Sequence, residues 1–213
     1  MSAQAANVTL TGWAFGSGVD VATNRYSGPA GGFGGSLSAA GALDTASFIA
    51  YCIELEESFH FGTTPMTGYT VRAGADYFQD RRGDAGIAER LGRLFGHLAD
   101  SGTAVDSAAT SSALQLAVWN TVYDTDHSLT TAGSFHATAA RSSVADSRVD
   151  HLANRMLAGA QAGAWRFDVF ALERAGSQDF MVLVPRGDVP EPGSLALALA
   201  AFGALALVRR RHA

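Results

Sequence analysis

Strand-like patterning at both ends of this 213-residue chain brackets a middle stretch of helical periodicity, and that order restricts the folds open to it. Residues 8–15, VTLTGWAF, alternate in part and read as a strand. Residues 48–55 are apolar on both faces, as a central strand would be: Ile49, Tyr51, Ile53 and Leu55 share one side, Phe48, Ala50, Cys52 and Glu54 the other. Asp84 then offers an N-cap, and Ile87, Leu91, Leu94, Phe95 and Leu98 fall on one helical face that Gly102 closes. A second helix is expected from Asp106 or Ser107 to about Tyr123. Leu114, Ala117 and Val118 form its inward stripe, with Gln115, Trp119 and Val122 one step round. A third is expected over 138–160 on the stripe Val149, Leu152 and Met156. Residues 165–172 and 179–185, around a turn at Ala175-Gly176-Ser177, read as a closing hairpin. The expected class is α+β: a β-sandwich or sheet with an inserted block of about three helices. The glycine-rich residues 27–41 read as a flexible loop or sheet edge, and HFGTTPMTGYTV at 60–71 reads as a loop with turn signals.

The core must hold without staples. Cys52 is the only cysteine, so no intramolecular disulfide can form. Net charge is −5, which leaves no basic footprint for nucleic acid. All fifteen cations are arginine, so no lysine amine of the chain can compete for a reactive acyl group.

The C-terminus, VPEPGSLALALAAFGALALVRRRHA, has three parts in order: Pro190-Glu191-Pro192, an apolar run over 195–208, and Arg209, Arg210 and Arg211. As a helix, 14 residues would reach about 21 Å, short of the roughly 20 residues of a comfortable span. The arginines would stay cytoplasmic and leave residues 1–190 outside. The run is apolar on every face and ends in charge, which does not suit a packed core helix. This tail resembles the PEP-CTERM sorting signal of Gram-negative bacteria. The resemblance implies recognition by a membrane-embedded exosortase, cleavage near Pro190-Glu191-Pro192, and delivery to the cell surface or matrix, often alongside exopolysaccharide. It divides the chain into an ectodomain, 1–186, and a sorting segment, 187–213, expected to be a hydrophobic helix held transiently in the membrane. The N-terminus lacks the apolar core of a signal peptide, while Ala3-Gln4-Ala5 fits a small-x-small cleavage pattern, so a leader is expected upstream.

YCIE at 51–54 and LQLAVW at 114–119 are read together. They resemble the two signatures of bacterial thioester domains found in surface adhesins. In that family an aromatic-Cys-aliphatic motif lies on a strand and a hydrophobic-Gln-x-x-hydrophobic-hydrophobic motif in the helical part. The resemblance implies an internal thioester, with Cys52 sulfur acylated by the Gln115 side chain. Tyr51, Glu54 and Trp119 are supporting candidates, Glu54 as proton acceptor and Trp119 as shield. Family members often carry Asp or Asn where Glu54 stands, and Thr where Leu114 stands. A thiolate is the nucleophile and a carboxamide a poor electrophile, so such a bond needs fixed approach and donors that polarise the carbonyl. The product could couple to an amine or hydroxyl on a partner such as an exopolysaccharide or a protein amine. Two alternatives stay open for Cys52: an inert core thiol in a structural biofilm or matrix protein, and an intermolecular disulfide.

Enzyme readings fare worse. Cys52 lies in a strand, not at a helix N-terminus that would lower its pKa. Asp124-Thr125-Asp126-His127 begins like a calcium loop, but Leu129 and Phe135 stand where glycine and glutamate are needed. Glu54, Glu56 and Glu57 read as a solvated strand end, and Ser111 and Ser112 lack a nucleophile-elbow context. No catalytic residue, metal or cofactor is expected.

Overall fold

The computed structural model describes residues 4–131, 133–138 and 144–186. The chain runs β1 (Gln4–Trp13), β2 (Val19–Ala22), β3 (Ser27–Ala30), β4 (Phe33–Ser38), β5 (Thr45–Cys52) and β6 (Met66–Ala73). Four helices follow: α1 (Gly74–Arg82), α2 (Gly86–Ser101), α3 (Ala108–Tyr123) and α4 (Val144–Ala160). Then β7 (Phe167–Arg174) and β8 (Ser177–Pro185) close the order. The class is α+β, as the sequence predicts. The expected sorting helix lies outside the described residues.

The sheet is a closed barrel, not a sandwich. Its six strands pair antiparallel in the order β1-β4-β5-β8-β7-β6, and β2 and β3 form a separate ribbon. Closure removes the free edges that an open sheet would have to protect. The seam between β5 and β8 is narrow, with Tyr51 opposite Met181 and Cys52 opposite Phe180.

Parts of both stretches, 27–41 and 60–71, are strands. The glycine-rich stretch forms β3 and β4 because its glycines permit close backbone approach: a Cβ on Gly35 would lie 1.9 Å from the Thr9 carbonyl oxygen. The β4–β5 ladder shifts register just beyond, between Gly35 and Leu37. The second loop gives way to β6 at Met66, where Tyr69 is fully buried. The strand expected over 48–55 ends at Cys52, and Ile49, 45 % exposed, faces outward.

α1 was not expected. Its residues are mostly polar, and only Gly74, Tyr77 and Phe78 turn inward. α2 and α3 fall where periodicity placed them. Asp84 sits one residue before the α2 N-cap and accepts the Gly86 N–H at 2.8 Å, and Gly102 ends the helix at φ 64°. Ser107 caps α3 in a reciprocal box with Thr110. α3 is buried on all sides from Ser111 to Val122, so it is the central helix, with α4 and α2 packed on it. α4 covers Val144–Ala160, with Val149 and Met156 buried on its stripe; residues 139–143 of the expected 138–160 lie outside the described residues.

Candidate functional site

β5 and α3 meet at Cys52 and Gln115. Antiparallel pairing sets Phe33 of β4 opposite Ala50, so the residue that would face Cys52 is Gly31, beyond the start of β4. There the ladder has run out. The Gln115 side chain takes its place: Oε1 accepts the Cys52 N–H and Nε2 donates to the Cys52 carbonyl, both at 2.9 Å. Burial makes this pairing obligatory, since Cys52 is 4 % and Gln115 1 % exposed.

Two further α3 side chains do the same for neighbouring backbone. Ser111 Oγ accepts the Gly32 N–H at 2.8 Å. Ser112 Oγ donates to the Ala30 carbonyl at 2.6 Å and accepts the Val19 N–H at 3.1 Å. Ser111, Ser112 and Gln115 thus dock the helix onto β2, β3, the Gly32 link before β4, and β5. Sequence reading missed the serines' role. The signal available was the spacing of Ser111, Ser112 and Gln115, which sets three polar side chains on one side of the helix.

Cys52, Gln115 and Trp119 line one cavity of about 270 Å³. Trp13, Phe33, Phe59 and Phe61 form one aromatic cluster of its wall, with ring centroids 4.7–5.7 Å apart. Tyr26 and Trp119 form a second, at 5.0 Å. Burial, and then the charge of Glu54, push the Cys52 thiol well above its usual pKa, so it rests protonated.

The other candidates lie apart. Tyr51, one residue from Cys52, points to the opposite side of β5, where it packs against Phe95 and reaches Ser111. Burial pushes its hydroxyl up to about 12, against the hydrogen bond from Ser111. Glu54 lies beyond the end of the strand and is only 6 % exposed, so it is not a solvated strand end. Its carboxylate folds back to accept the N–H groups of Glu56 and Glu57 at 2.5 and 2.9 Å and of Asp179 at 3.2 Å. It opens into a separate cavity of about 170 Å³ shared with Tyr77, Arg82 and Asp179. Burial pushes Glu54 up to about 7 against those three amides. Glu56 goes the other way: burial opposes its ionisation, but the Leu55 N–H, the Tyr123 hydroxyl and Arg82 outweigh it and hold Glu56 at about 2.

The acidic pair after α3, Asp124 and Asp126, has a structural role. Asp124 accepts the N–H groups of Thr125, Asp126 and Phe135, and Asp126 that of Ser128 and the Asn120 amide. These carboxylates fold the loop onto α3. Among the described residues, no group of three or more His, Cys, Asp or Glu side chains could hold a metal ion, and no helix is long and apolar enough to cross a membrane. The apolar run 195–208, the candidate membrane segment, falls outside them.

Residues 188–211 match the PEP-CTERM protein-sorting motif. This is the segment of Pro190, Glu191, Pro192 and the terminal arginines, and it marks an exported, cell-surface protein whose processing partner is an exosortase. No curated protein and no solved structure matches the chain.

Proposed function

We propose that the ectodomain, residues 1–186, carries an internal thioester between Cys52 and Gln115 and attaches covalently, once per molecule, to a nucleophile on a partner surface. The observation that carries this reading is the reciprocal hydrogen-bond pair that pins the Gln115 carboxamide to the Cys52 backbone at 2.9 Å. In the condensation Cys52 Sγ bonds to Gln115 Cδ, the Cδ–Nε2 bond breaks, and nitrogen leaves as ammonia with the thiol proton. The Cys52 N–H, already on Oε1, polarises the carbonyl where negative charge develops. The surrounding aromatic rings limit water, which preserves the acyl group until a partner amine or hydroxyl takes it.

A second reading has its own support. The carboxamide is fully occupied by the Cys52 backbone, and burial keeps the thiol protonated. On that reading Cys52 is inert and the protein is a structural component of the matrix. Intact-mass spectrometry of the secreted chain separates the two. The thioester form is one ammonia lighter than its sequence, resists thiol alkylation, and gains mass with methylamine. Cys52→Ala and Gln115→Ala each abolish these behaviours. Full sequence mass with a readily alkylated thiol ends the thioester reading.

A further inference from the structure

The chain leaves the barrel at a fixed point. Arg186 donates its backbone N–H to the Arg166 carbonyl at 2.8 Å and pairs through its guanidinium with Asp168 at 3.3 Å. The same guanidinium lies 3.6 Å from the centroid of the Trp165 ring. One residue earlier, Pro185 pairs with Phe167 in the β7–β8 ladder. α2 holds the other side of this corner through two glycines. A Cβ on Gly92 would lie 2.4 Å from the Phe167 carbonyl oxygen and 2.5 Å from the Trp165 ring, and one on Gly96 would lie 2.0 Å from the Ala164 carbonyl oxygen. With helix and link this close, the corner cannot swing aside without unpacking α2.

The matched sorting motif begins at residue 188. Two residues of chain from Arg186 reach at most about 7 Å, and the four to Pro190 at most about 14 Å. Releasing Arg186 from its partners adds only one residue of reach, because Pro185 stays paired in the ladder. A folded protein of even about 100 residues is about 26 Å across, twice its radius of gyration. An exosortase that grips the chain from residue 188 onward therefore lies against the barrel face from which that chain issues.

This face has the make-up of a contact surface. Trp165 is 38 % exposed although α2 packs on one side of it and Arg186 on another. Two ion pairs stand beside it, Arg186 with Asp168 and Arg166 with Asp100, all four side chains well exposed. Aromatic rings and arginines already held in place are the groups on which protein interfaces depend most. The carboxylates offset the arginines, so these pairs lack the net positive charge that draws anionic lipid headgroups. We propose that the barrel face of Trp165, Arg166, Asp168 and Arg186 is the docking surface for the exosortase that reads the sorting motif.

The test is a pulse-chase of the full chain in a host that carries an epitope-tagged exosortase, read as loss of the precursor band. Arg166→Glu and Asp168→Arg each reverse one charge on the face and should slow processing about five- to tenfold, the size of one lost interface contact. Ala175→Arg, on the exposed turn at the other end of β7 and β8, should leave the rate unchanged. A Gly-Ser insert of about ten residues after Arg186 lets the motif be read away from the barrel, and should remove the effect of both reversals. A photoreactive phenylalanine analogue at position 166 should crosslink to the tagged exosortase, and one at position 175 should not. The crosslink also serves if a charge-reversed chain does not fold. The proposal is overturned if both reversals, with thermal midpoints unchanged, are processed at the wild-type rate, or if they slow the chain with the insert equally. It is overturned as well if position 166 crosslinks to lipid alone, or to the exosortase no better than position 175.

Discussion

Gln115 gives Cys52 the two hydrogen bonds that a neighbouring strand would have given, one accepted from its N–H and one donated to its carbonyl, both 2.9 Å long. A helix side chain thereby finishes a β-ladder. Gln115→Leu keeps the volume and removes both partners, leaving two buried backbone groups unpaired. The expected loss is about 2–6 kcal/mol in denaturant unfolding, from about 1–3 kcal/mol for each group. Unchanged stability would mean that water or a shifted strand replaces the amide.

Ser112→Ala should loosen the β2–β3 ribbon selectively. The hydroxyl holds Val19 N–H and the Ala30 carbonyl at once. Amide exchange at Val19 should speed up, with a global loss of about 1–3 kcal/mol. Exchange that accelerates equally across β7 and β8 would contradict this local role.

Gly35→Ala should be among the most damaging substitutions in the barrel. The added methyl meets the Thr9 carbonyl, a backbone atom that cannot rotate away. Overpacking of this kind costs about 1–3 kcal/mol or more. Gly12→Ala is the control, since a Cβ there meets nothing within 4 Å. Equal thermal midpoints for the two variants would refute the close approach of β1 and β4.

Stability should fall as pH rises from about 4.5 to 7. Glu54 is raised from 4.5 to about 7 by burial, so the folded state holds a proton that the unfolded state has lost across that window. Asp179, raised by burial as well, adds in the same direction. Glu56, held at about 2, opposes them only below about 4.5, where its contribution fades as it is protonated. Glu54→Gln should flatten the slope of thermal midpoint against pH between 4.5 and 7. A slope that persists in the variant assigns it elsewhere.

Alanine at Pro190, Glu191 and Pro192 should block processing in a host that carries an exosortase. The chain then accumulates at its full length in the membrane fraction, where immunoblots against the ectodomain detect it. Normal release would show that another segment is read.

Period and capping residues carried α2, α3 and the final hairpin straight from sequence to structure, because Ile87, Leu91 and Leu94, and Ser107 with Thr110, act locally. Closure of the sheet was hidden. It depends on Gly35 passing against Thr9, a contact between distant strands that makes a glycine-rich stretch look like a loop. α1 was hidden because a helix with two large buried side chains, Tyr77 and Phe78, has almost no apolar stripe. Cys52 and Gln115 were legible as a pair through two short motifs. Their meeting is through the cysteine backbone, which no motif encodes. Glu54 was misplaced for a related reason: its carboxylate folds back on its own chain, and the strand ends at Cys52, three residues earlier than apolar patterning suggests.

The seam at Tyr51–Met181 and Cys52–Phe180 has a consequence for biogenesis. β5 emerges early, but the partner that shuts it in is the last strand before the sorting segment. A chain that stops short of β8 lacks that partner, so the enclosure of Cys52 is completed only by the last strand of the barrel.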